Sequence, residues 1–225
     1  MSTILHIETS TKNCSVSIAN NGKLFSLKEI NTGDYSHAEM LHPLINDALL
    51  ESKLTIKDIE AIAVGKGPGS YTGLRIGVSA AKGLCFANDI PLISINSLEI
   101  LAQSITIDRG LIIPMIDARR MEVYAAIYDQ NHNAVRETKA EIIDSHSFLD
   151  KLQNQKVYFL GDGAKKCKKI ILHENAVFIE NVFPSAKEMA TISFHKFKNK
   201  TTEDVAYFEP FYLKDFIATQ EKKKI

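Results

Sequence analysis

The segment Gly65-Lys66-Gly67-Pro68-Gly69-Ser70-Tyr71-Thr72-Gly73-Leu74-Arg75-Ile76-Gly77 decides the fold, because it sets five of the chain's 11 glycines between two apolar stretches. The apolar run 59–64 before it is typical of a buried strand. After it, apolar residues recur at helical spacing, at Leu74, Val78, Ala81 and Cys85. The segment therefore predicts a strand, a glycine-rich turn and the start of a helix.

The start of that helix is a candidate anion site, since the first N–H groups of a helix have no partner within it. The segment follows neither the Walker A pattern nor the pattern of a dinucleotide-binding loop. A tight structural turn and a contact with another protein therefore stay open beside phosphate binding. The residues that would bind a phosphate are Gly69, Ser70, Thr72 and Gly73.

The composition is that of an ordinary soluble protein, with 225 residues of which 45% are hydrophobic and 24% charged. Lys plus Arg and Asp plus Glu number 27 each, so no overall charge draws the chain to nucleic acid or to a membrane. Three widely spaced cysteines argue against a disulfide framework and against a zinc ribbon. Because neither a signal-peptide pattern nor an apolar run of membrane-spanning length is present, we expect a cytoplasmic protein.

The two halves of the sequence repeat one pattern. A short apolar strand ends in an acidic residue, Glu8 or Asp117, and alternating apolar and polar residues then predict two further strands. Ile127 follows Asp117 by the same number of positions as Ile18 follows Glu8. The repeat predicts two related α/β lobes, one at 1–107 and a smaller one at 108–225 that ends in a basic tail.

The repeated carboxylates Glu8 and Asp117 are the second candidate binding site. In a two-lobed fold they would face one cleft, as a metal–phosphate site requires. The alternative is that each accepts hydrogen bonds from N–H groups of its own turn. Glutamate at position 8 is also longer than the aspartate that such a site favours.

Other residues with binding chemistry form no recognisable set. His37 and His42 are five positions apart, whereas two metal ligands on one helical face lie three or four apart. Neither a His-Glu-x-x-His nor a Gly-x-Ser-x-Gly pattern occurs. We therefore expect no catalytic residue, no metal and no cofactor. Anion binding and ion pairing with acidic side chains are both open for Arg75, Arg119 and Arg120.

Residues 36–52 predict a helix with Pro43 inside it and more apolar surface than one stripe requires. One interpretation is a helix whose apolar face packs on the core of its own chain. The other is that the additional apolar surface contacts another protein.

Taken together, these stretches closely resemble the TsaB (YeaZ) family. The glycine segment 65–77 resembles the signature of that family, and four further stretches support it. These are 7–11, the helix start 37–43, 116–124 and Glu209-Pro210 with Tyr212-Leu213. The resemblance runs from end to end, and it is good over 1–128 and loose over 130–203.

The resemblance implies an actin-like or Hsp70-like ATPase (ASKHA) fold made of two ribonuclease H-type lobes. It further implies a non-catalytic subunit that works with its catalytic paralogue TsaD and the ATPase TsaE. That assembly transfers threonylcarbamoyl to the adenosine beside the anticodon of tRNA, so tRNA would be bound only through the complex. An autonomous ATPase or kinase of the same fold is the alternative, and a glycoprotease-like metallopeptidase is a third possibility.

The family also associates through its first helices, both as homodimers and with TsaD. The resemblance therefore implies a homodimer when the chain is alone, formed by the helix at 36–52. The interface candidates are Met40, Leu41, Leu44, Ile45 and Leu49.

Overall fold

The structure is a computed structural model that describes residues 2–31 and 37–214. Its N-terminal sheet has five strands in the order β3-β2-β1-β4-β5. The first three strands pair antiparallel, whereas β4 pairs parallel with β1, and β5 with β4. The strands are β1 Thr3–Glu8, β2 Cys14–Asn20, β3 Lys23–Ile30, β4 Ala61–Gly67 and β5 Leu92–Asn96.

The second sheet repeats this topology, with the order β10-β9-β6-β7-β8. Its first three strands again form an antiparallel meander, and β9 and β10 extend it in parallel from β6. The predicted duplication is therefore confirmed, because both lobes contain a five-stranded mixed sheet of the same topology, as expected of two ribonuclease H-like lobes. The strands are β6 Leu111–Asp117, β7 Glu122–Asp129, β8 Ala134–Ile142, β9 Val157–Leu160 and β10 Ala176–Ile179.

Helices cover both faces of the N-terminal sheet. α1 (His37–Ser52) and α2 (Tyr71–Asn88) pack on the face that contains Leu5 and Ile7. On the opposite face, Ile4 packs with Met189 of a 3₁₀ turn that leads into α6 (Ala190–Lys198). Because successive side chains of a strand point to opposite faces, coverage of both faces leaves β1 buried at every position.

The short helix α3 (Ser97–Ala102) joins the two lobes. Ile100 packs into the apolar layer of the first sheet, whereas Leu98 and Leu101 pack against Ile112 of β6. One helix of less than two turns therefore contributes apolar side chains to both lobes. The remaining helices, α4 (Leu149–Leu152) and α5 (Ala164–Cys167), pack on the second sheet.

The C-terminal part of the described chain returns to the first lobe. Ala186 and Met189 pack on the N-terminal sheet, and Val205 and Phe208 pack on its α1–α2 face. The predicted domain limits, 1–107 and 108–225, stay a prediction, and these contacts argue for counting residues 186–213 with the first lobe. The predicted basic tail, 220–224, lies outside the described residues. No helix within the described ranges is long and apolar enough to cross a membrane.

Candidate functional site

The glycine segment forms a tight connection between β4 and α2. Ser70 has an extended backbone and caps α2, since its Oγ accepts a hydrogen bond from the N–H of Gly73 at 3.3 Å. The N–H of Leu74 makes the first regular bond of the helix, to the carbonyl oxygen of Ser70 at 2.8 Å. The N–H of Gly73 in the first turn is therefore capped from within the segment itself.

The chain's own residues 9 and 10 fill the space beside this turn. The N–H of Ser70 donates to the carbonyl oxygen of Ser10 at 2.7 Å, and Thr9 Oγ1 donates to the carbonyl oxygen of Gly73 at 2.8 Å. A Cβ at Gly69 would stand 2.3 Å from the carbonyl oxygen of Ser10, and one at Gly73 would stand 2.2 Å from that of Thr9. The glycines are therefore needed for close packing between two parts of the backbone.

Glu8, at the end of β1, is buried beneath the same segment. Its Oε1 accepts the N–H of Ser10 at 2.6 Å, and its Oε2 accepts Ser97 Oγ at 3.3 Å. Burial raises the pKa of this carboxyl, and the hydrogen bonds from Ser10 and Ser97 oppose that rise in part. Since the N–H of Gly67 donates to Ser97 Oγ at 3.2 Å, Glu8 connects β1 to β4 and to the start of α3.

Asp117 lies in a different environment, at the exposed end of β6. It accepts the N–H of Arg119 at 2.8 Å and forms an ion pair with Lys166. Its own N–H donates to Oδ1 of Asp162 at 2.9 Å, and burial is the main cause that raises the pKa of Asp162. Within the described ranges, neither Glu8 nor Asp117 bonds the other, and each accepts an N–H two residues further along its own turn.

The α1 candidates separate into two groups. Leu41, Leu44 and Ile45 are buried in the core of the chain itself, with an exposed fraction of 0% for Leu41. These three side chains are therefore used mainly for packing within the chain, and their part in an interface stays a prediction. Met40 and Leu49 are half-buried against that core, and Leu50 is 66% exposed.

An open groove between α1 and α2 was not anticipated from the sequence. It lies beside the exposed His42 of α1, and Gly83 has no atom within 4 Å of a Cβ built on it. Small residues of α2 at helical spacing were the available signal for it. The other lining residues are Ile76, Ser79, Ala80 and Leu84.

The two histidines of α1 do not meet. Nε2 of the buried His37 lies 2.7 Å from the carbonyl oxygen of Thr11, whereas His42 is exposed on the groove. Across residues 2–31 and 37–214, the structure contains no group of three His, Cys, Asp or Glu side chains that could hold a metal.

A C-terminal segment, 203–214, crosses the glycine segment. The N–H of Phe211 donates to the carbonyl oxygen of Lys66 at 2.8 Å, and Arg75 Nε donates to Tyr212 Oη at 3.2 Å. Lys214 then pairs with Glu122 at the start of β7. The segment therefore runs from the first lobe, past the start of α2, to the second lobe.

Known proteins resemble the chain along nearly its whole length. A family model described as TsaD, tRNA N6-adenosine threonylcarbamoyltransferase, matches residues 33–222. The tRNA threonylcarbamoyladenosine biosynthesis protein TsaB of Escherichia coli K12 is 32% identical, over 96% of each chain. The Bacillus subtilis 168 protein of the same name is 30% identical, over 99% of this chain and 98% of its own.

Solved structures agree with the sequence relatives. YeaZ from Pseudomonas aeruginosa superposes with a TM-score of 0.77 and 25% identity, over 95% of this chain and 100% of that one. A second Pseudomonas aeruginosa structure, of a protein similar to the peptidase YeaZ, gives a TM-score of 0.82 and 26% identity over the same shares. The chain therefore belongs to the family that the TsaD model describes and, within it, to the TsaB (YeaZ) proteins.

Proposed function

We propose that the chain is a non-catalytic subunit of tRNA threonylcarbamoyladenosine biosynthesis, working with a TsaD-like catalytic paralogue and a TsaE-like ATPase. The observation that carries the proposal is the occupied glycine segment. The N–H groups of Ser70 and Gly73 already have partners within the chain, and residues 9 and 10 lie where a ligand would approach the glycines. Because its own residues fill the space beside the glycine segment, the first lobe is better suited to supporting a partner than to binding a ligand there. The names of relatives that match over 96% or more of the chain support the pathway.

The α1–α2 groove is the surface that we assign to the TsaD-like partner. Ser79, Ala80 and Gly83 present little side-chain bulk, so a helix of the partner can approach α2 closely. Half-buried apolar residues beside them, Ile76 and Leu84, supply surface that binding would cover. Of the residues first expected at the interface, Met40 and Leu49 stay in this proposal. The same surface would form the homodimer when the chain is alone.

Reconstitution tests the proposal. The TsaD-like and TsaE-like proteins of the same source are supplied with threonylcarbamoyl adenylate and an unmodified tRNA transcript, with and without this chain. We expect modified adenosine, measured by mass spectrometry of nucleosides, to fall to background when the chain is omitted. Modification that continues undiminished without the chain would contradict the proposal.

A pair of substitutions at Gly83 tests the groove. Gly83→Arg places a long, charged side chain in the groove at a helix position that is open to solvent. We expect it to prevent co-purification with the TsaD-like protein while the melting curve stays that of a folded chain. Gly83→Ala, at the same site, adds only a methyl group and is expected to retain the complex. If both variants bind the TsaD-like protein equally well, the groove is not part of the interface.

The autonomous ATPase alternative requires a different site from the glycine segment. The structure offers a pocket at the ends of β9 and β10, lined by residues that include Lys165, Lys168 and Phe178. Calorimetry with ATP and Mg²⁺ decides between the two functions. If the chain binds nucleotide at millimolar concentration and Lys168→Ala abolishes that binding, the ATPase alternative is favoured. If no heat of binding is measured, the role as a supporting subunit is favoured.

A further inference from the structure

The turn between β6 and β7 presents two arginines in an unusual conformation. Arg119 has a φ of 71° and Arg120 a φ of 50°, and both side chains are exposed. Positive φ is uncommon for residues with long side chains, and glycine or asparagine adopts it more readily. Two such residues in succession point to a use for the arginine side chains themselves.

Two carboxylates at this turn are already paired, Asp117 with Lys166 and Glu122 with Lys214. A third, Asp162, accepts the N–H of Asp117 at 2.9 Å. Over residues 2–31 and 37–214, no acidic side chain pairs with Arg119 or Arg120. The positive charge at the turn is therefore available to an anion from solution.

Further cations continue from the turn in both directions. Lys166 Nζ donates to the carbonyl oxygen of Glu122 at 2.6 Å, which brings α5 to the turn. On the other side, Lys214 pairs with Glu122 and lies two residues after Tyr212, the partner of Arg75. We call Lys166, Arg119, Arg120, Lys214 and Arg75 the cationic strip; Lys166 and Lys214 each pair with a carboxylate, whereas Arg119 and Arg120 do not within the described ranges.

Aromatic rings lie along the same strip. The guanidinium of Arg75 stands 4.1 Å from the ring centre of Tyr71, and the rings of Tyr71 and Tyr212 are 5.1 Å apart. Half-buried Tyr124, on β7, is close enough to Lys214 and Arg119 to experience their charges. Proteins that bind single-stranded nucleic acid combine cations that follow the phosphates with ring and guanidinium planes that stack on bases.

We propose that the cationic strip binds the phosphate backbone of RNA, with the Tyr71–Arg75–Tyr212 stack placed against an unpaired base. The inference rests on the proposed function, in which the RNA is the tRNA to be modified, and it adds a direct contact from this chain. Since the chain has 27 basic and 27 acidic residues, the attraction comes from this strip and not from net charge. An acidic protein would use the cations but would have no need of the half-buried Tyr71 and Tyr212 rings beside Arg75.

Substitution of the turn provides the test, because it can remove both charges without disturbing the fold. In Arg119→Asn/Arg120→Gly, each new residue suits a positive φ. Binding of the full-length chain to a fluorescent tRNA transcript is measured by anisotropy between about 50 and 200 mM salt. We expect affinity to fall about tenfold or more, and the slope of log K against log salt to become shallower by about 1 to 2.

The matched control is Lys57→Asn/Arg109→Gln, which also removes two exposed positive charges. Lys57 precedes β4 and Arg109 precedes β6, so both lie at the opposite ends of these strands from the strip. We expect the control to bind tRNA like the original chain. Equal affinity and equal salt slope for the two double variants would overturn the proposal. Tighter binding of poly-glutamate than of tRNA would assign the strip to an acidic protein and would overturn it as well.

The reconstituted modification assay separates this proposal from the function on which it rests. If omission of the chain leaves modification undiminished, the proposed function fails. If omission abolishes modification but Arg119→Asn/Arg120→Gly restores it fully at limiting tRNA and binds tRNA normally, only the strip fails. Should that variant not fold, Arg119→Gln/Arg120→Gln removes the charges with side chains of similar length, and the same outcomes apply.

Discussion

Oε2 of Glu8 lies 2.0 Å from the position that a Cβ would take on Gly65, so the glutamate occupies the space that a side chain at position 65 would need. The two residues are neighbours across the parallel pairing of β1 and β4, in which Ile7 pairs with Val64. The presence of glutamate at the end of β1 and of glycine in the middle of β4 therefore has one physical cause. The buried carboxyl of Glu8 packs directly against the backbone of Gly65, which has no side chain.

Gly65→Ala should destabilise the protein strongly. The new methyl group would overlap a fully buried carboxyl that is held by Ser10 and Ser97. Overpacking of this kind costs about 1–3 kcal/mol. Urea denaturation followed by circular dichroism measures the effect. Gly83→Ala is the control, since its Cβ meets nothing, and it should instead stabilise the helix by up to about 1 kcal/mol. Similar values for the two variants would contradict the contact.

The coupling between the two positions provides a second prediction. Glu8→Ala removes the obstacle, although it also leaves a cavity and unpaired donors. In the Glu8→Ala/Gly65→Ala double variant, the added methyl group has space, so the loss of stability should be smaller than the sum of the two single losses. A coupling free energy of about 1 kcal/mol or more is expected from a double-mutant cycle. Additive effects would mean that the two side chains do not compete for one space.

Leu41→Glu and Leu50→Glu should have opposite consequences, although both lie on α1. Leu41 is 0% exposed within the core cluster, so a glutamate there would bury an unpaired charge and should prevent folding. Leu50 is 66% exposed, and surface substitutions usually change stability by no more than about 0.5 kcal/mol. Circular dichroism of the two purified variants decides the matter. If the Leu41→Glu chain folds but no longer binds its partner, Leu41 belongs to the interface and not to the core.

The strands and the duplication were predictable because their signals are local. Alternating apolar residues around Ile18 and Ile127 mark strands that pair with near neighbours in sequence, and both meanders lie where the pattern predicts them. The glycine segment likewise predicts a strand, a turn and a helix, which correspond to β4 and α2. An apolar period of two residues is sufficient to predict a strand, and a period of about 3.6 residues is sufficient to predict a helix.

The surfaces were less predictable, because periodicity reports which residues are apolar and not what covers them. Leu41 and Leu50 look alike in the sequence, yet one lies in the core and the other in solvent. In the C-terminal segment, the isolated bridge between Glu203 and Leu92 links residues that are far apart in sequence. The segment's contacts with α2 join residues more than a hundred positions apart, and no local pattern encodes them.

Acidification should destabilise the protein through His6. This buried ring lies 2.7 Å from Ser193 Oγ and 3.0 Å from Ser17 Oγ, and burial lowers its pKa from 6.5 to about 4. The folded state therefore holds the ring neutral, while the unfolded state takes up a proton below pH 6.5. This contribution to stability is complete above pH 6.5 and is lost progressively as the pH falls towards 4, to a total of about 3 kcal/mol.

Comparison with His6→Gln isolates that contribution. Buried carboxyls such as Glu8, whose pKa burial raises, contribute with the opposite sign, but they are common to both proteins and cancel in the difference. The stability advantage of the original chain over His6→Gln should therefore shrink between pH 7 and pH 4. A difference for His6→Gln that does not vary with pH would refute the assignment.

Lys82 should control how often the C-terminal segment opens. Its Nζ donates to the carbonyl oxygens of Phe208 at 2.8 Å and Ala206 at 3.2 Å, and it joins the segment to α2. Lys82→Met keeps the apolar stem and removes both donors, so opening should become about tenfold more frequent, the equivalent of about 1.4 kcal/mol. Hydrogen exchange at the N–H of Phe211, which donates to Lys66, reports each opening directly. Lys57→Met is the control for the loss of one lysine. If the N–H of Phe211 is protected equally well in Lys82→Met and in the original chain, apolar packing alone holds the segment.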